Sequence, residues 1–430
     1  MSDVTDSSNG DNPAASYYKQ AGDAFGRGEL ERAEELCRKA ASLYEQAGDE
    51  EVSRVYLLLG AIAYYRSHLD TAERWYHKAL EIDERNGNEL TAPTIYDNLA
   101  QVVSDRGNYE SAEMWSLKSL HFKQKQGDEI GESATYHQLG LYAYRRGDLD
   151  TAAQSYRKSL EIDERNGNEL DAATTYNNLS AVANAREDFE SAEKFLWRAI
   201  YIKESHGDES GAATSYHQLG VVASCRQDLE AAEKWYRKSL DIKERLNDEI
   251  GIARTCVNLY GVAKDQKHDD YAEEWLKKAL RVLEKDGTAH DLIELGVAAE
   301  QRFDFEHSET SYRRALEIAK MSGNEEYETT CYEFLGRLAS QQRDHAAAKN
   351  WHVKSLAIAE RRGDLARAVE MCRILAHLCL AKDSRTQRDF DSANTWFQRA
   401  LELDEDAMWL DRLVVRARLW CCRLLDFFSK

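Results

Sequence analysis

The sequence predicts an all-α fold: a solenoid of about ten tandem helix pairs followed by a C-terminal capping helix. Three observations predict it. The phrase LEIDERNGNEL at residues 80–90 returns letter for letter at 160–170. A helical pattern recurs with its anchor at Ala33, Ala72, Ala112, Ala152, Ala192, Ala232, Ala272, Ser308, Ala348 and Ala393, at spacings of 39, 40, 40, 40, 40, 40, 36, 40 and 45 residues. Only two prolines, Pro13 and Pro93, interrupt 430 residues rich in Leu, Ala, Glu, Lys and Arg, so forced helix breaks are few.

The anchor opens the second helix of each unit, helix B. In AEKWYRKSLDI, residues Ala232, Trp235, Tyr236, Ser239 and Leu240 fall at i, i+3, i+4, i+7 and i+8, one face of a helix. Twelve residues ahead of the first nine anchors stand Ala21, Gly60, Ala100, Gly140, Ser180, Gly220, Tyr260, Gly296 and Gly336; the last unit has Ala376 seventeen residues ahead. These mark helix A. Gly inside a helix costs roughly 1 kcal/mol against Ala, so it belongs where a neighbouring helix must come close. Small residues here predict tight antiparallel packing of A on B. Helix B is closed by Gly-Asp, Gly-Asn or Asn-Asp, as at Gly127-Asp128 and Gly167-Asn168; Gly stops one helix in a left-handed conformation and Asp or Asn caps the next. The A–B turns are equally short, so no large insertion exists to house an active site.

Composition excludes several function classes. The net charge is −20 and no long run of Lys and Arg offsets it, which disfavours nucleic acid and an anionic membrane surface. No stretch of about 18 uncharged apolar residues is present. The eight cysteines are scattered without a CxxC pair and read as free thiols of a reducing, cytoplasmic compartment. Residues 1–14 read as a disordered, polar tail and 15–405 as the repeat array. There is no Gly-rich phosphate loop, HExxH or GxSxG, and no cofactor is expected. The spacing of Cys372, His377 and Cys379 fits no usual zinc motif. The expectation is a chain that is not an enzyme.

Tyr216, Leu219 and Gly220 in helix A, followed by Ala232, Tyr236 and Ser239 in helix B, resemble the tetratricopeptide repeat (TPR), in which an aromatic and Leu-Gly precede Ala, an aromatic and a small residue. The usual repeat has 34 residues and a closing Pro; these units have about 40 and none. They are similar to the longer repeats of kinesin light chains, Pins-type adaptors and bacterial regulatory arrays. The resemblance implies a right-handed superhelix with helix A lining its concave side. It implies a protein-interaction scaffold or adaptor that binds a peptide or protein segment in that groove. The alternative is a regulatory subunit controlling an enzyme or effector such as a protease.

Two residues before the small position, helix A carries Asn98, Gln138, Asn178, Gln218 and Asn258; one residue earlier it carries Asp97, His137, Asn177, His217 and Val257. By the resemblance these face the groove. A carboxamide both donates and accepts, so a row of them can hold a peptide backbone whatever its sequence, while the Asp and His residues supply selectivity. The other reading is that they solvate the face or tie neighbouring repeats together. The helix-B series Trp75, Trp115, Phe195, Trp235, Trp275, Trp351 and Trp396 reads as core packing.

Two irregularities stand out. Tyr260 puts a ring where other units are small, and the 36-residue spacing after it removes about one helical turn from helix A. An altered inter-repeat angle is expected near 255–300, either tolerated or marking a boundary between binding segments. The 45-residue spacing predicts a polar surface loop at 381–390. Residues 406–430 form the terminal helix, which either caps the last repeat or supports self-association through Trp409, Trp420, Phe427 and Phe428.

Overall fold

The computed structural model describes residues 12–87, 91–380 and 387–403. All regular structure among them is helical. The chain divides into two compact parts, Met1–Arg226 and Gln227–Lys430. The first contains α1 (Pro13–Gly26), α2 (Leu30–Ala47), α3 (Val52–Tyr65), α4 (Leu69–Asn86), α5 (Ala92–Asp105), α6 (Tyr109–Gln126), α7 (Glu129–Arg145), α8 (Leu149–Asn166), α9 (Glu169–Ala185), α10 (Phe189–Ser205) and α11 (Glu209–Cys225). The second contains α12 (Leu229–Leu246), α13 (Glu249–Asp265), α14 (Asp269–Asp286), α15 (Ala289–Glu300), α16 (Phe305–Met321), α17 (Glu325–Gln341), α18 (His345–Arg362), α19 (Leu365–Leu380) and α20 (Gln387–Leu403). Within each part the two helices of a pair pack antiparallel, and the helices B α2, α4, α6, α8, α10, α12, α16 and α18 also pack on the helix A that follows. No pair could bury its apolar face alone; stacking gives each part its core.

The recurrent small residues do what their spacing implies. A Cβ added to Gly140 would lie 2.7 Å from the ring of Tyr156, and one added to Gly336 would lie 2.6 Å from His352. Gly60 meets Tyr76 and Gly296 meets Tyr312 in the same way. The size relation is reciprocal. Where helix A carries Ser180, helix B carries Leu196; where helix A carries the fully buried Tyr260, helix B carries Leu276 in the Tyr position. Tyr260 is therefore a swap of large and small across one pair.

The helix-B series Trp75, Trp115, Phe195, Trp275, Trp351 and Trp396 packs against the core as half-buried rings at its rim, while tyrosines one position further on, as in Tyr76, Tyr156, Tyr236 and Tyr312, are fully buried. Trp75, Trp115 and Trp351 instead stack on the helix-A tyrosines Tyr56, Tyr96 and Tyr332 at 5.3, 5.7 and 5.7 Å. A lysine lies over each ring, with Lys78, Lys118 and Lys354 at 4.7, 4.3 and 4.4 Å from the centroids.

Caps and turns follow the punctuation. Asp128, Asp148, Asp188 and Asp208 each accept from the backbone N–H three residues on, at 2.9, 3.1, 3.1 and 2.8 Å. After several helices A an arginine reaches back to the preceding helix B: Arg106 to Glu73 at 2.7 Å, Arg146 to Glu113 at 2.8 Å and Arg226 to Glu193 at 3.0 Å. The A–B turns need a positive φ even where no glycine is available; Phe303 holds φ 60° with its ring 80% exposed.

The 36-residue spacing appears as α15, which has 12 residues where α13 and α17 have 17. Gly287 before it is extended (φ −75°, ψ 152°), and Thr288 with Asp291 forms a reciprocal capping box. At the N-terminus α1 already starts at Pro13, capped by Asn12 with Ala14 buried, inside the segment expected to be a tail; the rest of that tail lies outside the described residues. Of the loop expected at 381–390, residues 387–390 belong to α20 and 381–386 lie outside the described residues. The terminal helix expected at 406–430 also lies outside them. Among the described residues no helix is long and apolar enough to cross a membrane.

Candidate functional site

The helix-A positions singled out by the sequence lie together on one face of α5, α7 and α9. Each helix turns its Leu and small residue inward: Leu99 and Ala100, Leu139 and Gly140, Leu179 and Ser180 are buried. The two residues before them, Asp97–Asn98, His137–Gln138 and Asn177–Asn178, are half-buried. Two clefts run between these helices. One, of about 280 Å³, is lined by Asp97, Asn98, Gln101, Lys123, Thr135 and Gln138, among others. The next, of about 240 Å³, is lined by His137, Gln138, Ser133, Asp163, Asp171 and Thr175, among others. Gln138 and Ala134 belong to both, so the clefts adjoin along α7.

The row is not uniform. Asp97 accepts from Lys123 Nζ at 2.7 Å, and the same ammonium donates to Thr135 Oγ1 at 2.8 Å. Asn178 Nδ2 donates to His137 Nε2 at 3.0 Å, and His137 Nδ1 lies 3.3 Å from Thr175 Oγ1. Asn177 Oδ1 accepts from Ser215 Oγ at 2.9 Å. His137, Asn177 and Asn178 thus bond directly to the neighbouring repeat, while Asp97 reaches it only through Lys123. Asn98 and Gln138 make no side-chain hydrogen bond among the described residues, and both line the clefts. His217 and Gln218 are half-buried on α11, and Asn258 is half-buried on α13 in the second part of the chain.

Sequence reasoning missed the buried charges behind this face. At one position of helix B stand Asp83, Lys123, Asp163, Lys203 and Lys243, with 2, 8, 3, 5 and 7% exposure. The signal was present: the position lies eleven residues after each anchor, in phase with the core face, and it is the Asp of LEIDERN. Lys203 donates to Ser215 Oγ at 3.2 Å and the Gly211 carbonyl at 3.4 Å; Lys243 does the same to Thr255 and Gly251 at 3.0 and 3.4 Å. Burial pulls both ammonium groups below the usual lysine value, partly offset by Asp208 and Asp248 respectively. Burial also pushes the Asp163 carboxyl up, against the Ser133 hydroxyl, which donates to it at 2.6 Å. His137 is held below its ordinary value by burial, with Asp163 and Asp171 opposing.

This arrangement of paired helices with a polar inner row has a family. The tetratricopeptide-repeat profile matches residues 13–85, 91–165 and 171–245, just over half of the sequence. The chain is a tetratricopeptide-repeat protein. The second half of this TPR chain continues the same helix pairs from α13 to α20. Among solved structures, the apo form of RapI is similar at 17% identity and a TM-score of 0.52, covering 63% of this chain and 97% of that one. BtubC (BKLC) from P. vanneervenii is similar at 24% identity and a TM-score of 0.45, covering 50% and 90%. The pilF protein of Pseudomonas aeruginosa matches at 16% identity and a TM-score of 0.41, covering 56% and 95%. No curated protein sequence matches significantly. Membership of the family supports a protein-interaction scaffold or regulator.

Proposed function

We propose that this TPR protein holds an extended peptide or protein segment along the face formed by α5, α7, α9 and α11. One observation carries the reading: two clefts adjoin along α7 and share Gln138, while the Asn98 and Gln138 amides on their walls are uncommitted. A carboxamide presents an N–H donor and a carbonyl acceptor, so spaced amides pair with a strand-like backbone without reading its side chains. Asp97, His137, Asn177 and Asn178 set the walls between them, and His217, Gln218 and Asn258 extend the same helical phase. The chain acts as an adaptor in the cytoplasm, with no nucleic-acid partner, consistent with its −20 charge.

The test starts with a partner co-purified from the native cell. Its affinity is measured for wild type and for Asn98→Ala combined with Gln138→Ala. Each lost hydrogen bond removes about 0.5–1.5 kcal/mol, so the pair should weaken binding roughly tenfold. Unchanged affinity sinks the groove reading. Should the captured partner be an enzyme whose turnover changes when the TPR chain is added, the regulatory-subunit reading takes over from the adaptor one.

A further inference from the structure

We propose that the cleft walled by α7, α8 and α9 takes the ammonium or guanidinium group of a lysine or arginine side chain from the bound segment. The inference rests on the groove reading and names what the segment carries at this point.

Asp163 is the reason. Its carboxylate lines the cleft while the residue is only 3% exposed. It accepts from Ser133 Oγ at 2.6 Å and from Ser159 Oγ at 3.5 Å, and among the described residues no lysine or arginine reaches it. A buried charge is best compensated by a paired opposite charge, and the neutral groups at hand, the Ser133 and Ser159 hydroxyls and the Asn168 side chain, do not fully restore the solvation it has lost. One repeat earlier the balance is complete: Lys123 occupies the same helix-B position and Asp97 of helix A neutralises it at 2.7 Å. The residue standing to Asp163 as Asp97 stands to Lys123 is His137. Its Nε2 accepts from Asn178, so the ring serves the repeat-to-repeat link as a neutral acceptor. Asp163 thus lacks the counter-charge that its neighbour has, and a cleft of about 240 Å³ opens onto it.

The rest of the wall suits such a side chain. Asp171 adds a second carboxylate at the rim, and the Thr175 hydroxyl and Gln138 amide add acceptors. Ile130, 66% exposed, and Ala134 offer an apolar edge to the methylene stem. A negatively charged or purely apolar side chain would leave Asp163 uncompensated.

The test uses the full chain and two probes, Nα-acetyl-lysine methylamide and its neutral Nε-acetyl form. The readout is the imidazole ring signal of His137 in NMR, assigned by its disappearance in His137→Gln. The cationic probe should shift this signal saturably, the acetylated probe should not, and Asp163→Asn should weaken the effect by about tenfold or more. The idea is overturned if the cationic probe produces no saturable shift, or if the neutral probe does as well on wild type, an outcome independent of how Asp163→Asn folds. The groove reading is scored separately. A co-purified partner released by Asn98→Ala with Gln138→Ala, yet indifferent to Asp163→Asn, keeps the groove and removes the cation subsite.

Discussion

Asp163 illustrates how a single buried charge can serve binding at the expense of folding. Its carboxyl titrates above the usual range because burial disfavours the anion, against the Ser133 hydrogen bond. A raised folded value means that stability is full below the ordinary carboxyl range and is lost as pH rises through the folded value. Asp163→Asn should therefore raise the melting temperature of the unliganded protein at neutral pH, by about 1 kcal/mol of stability; an unchanged or lower value contradicts this. His352 gives an opposite limb. It is 3% exposed against Gly336, its Nδ1 has no partner among the described residues, and burial lowers its titration to about 4. The unfolded chain takes up this proton near pH ~6.5, so stability should fall as pH drops from there to about 4, by up to ~1.4 kcal/mol per unit. His352→Leu, the residue type found at Leu196 and Leu276, should flatten that limb in thermal melts recorded across the range. The helix-A row was legible in the sequence because an amide returned at one phase in five units. The buried helix-B charges were not read, because a charged residue in core phase looks like a patterning error until its hydroxyl and carbonyl partners, Ser133, Ser215 and Gly211, are brought to it by the next helix.

The elements themselves were written plainly. Anchor spacing, small residues and Gly-Asp punctuation located helix pairs because each feature has a local cause: packing distance, left-handed stop, side-chain cap. The tryptophan series packs on the core as its phase implied, but periodicity alone does not say that Tyr76 goes deeper than Trp75. Turn conformation was also hidden, since Ser67, Glu187, Gln227, Lys267, Phe303 and Arg343 adopt positive φ without being glycine. Phe303→Gly should relieve this at φ 60° and raise the melting temperature by the equivalent of about 1 kcal/mol. The shortened α15 invites a different measurement. Its missing turn falls in the chain between α14 and α16, so a crystal structure should show the step from the α13–α14 pair to the α15–α16 pair departing from its neighbours. A step equal to the others would show the deletion to be absorbed in the turn at Gly287.

At the scale of the chain, stability is shared between neighbours. An isolated α7–α8 fragment should show little helix by circular dichroism, whereas the fragment α5–α10 should be helical, because only the longer piece buries both faces of its middle pair. Light scattering with and without residues 406–430 decides the role of the terminal segment: a fall in mass on truncation makes it a self-association element, and a monomer that melts earlier makes it a cap. The reciprocal fit of Gly140 with Tyr156, and of Tyr260 with Leu276, has a consequence for the history of such a chain. Both halves of the fit lie within one helix pair. Recombination that breaks the gene between pairs hands on every key together with its own lock; a break inside a pair does no harm where one Gly–Tyr unit is exchanged for another, but one that joined Tyr260 to a helix B bearing tyrosine would mate a bulky residue with a bulky residue and leave a progeny protein that cannot close.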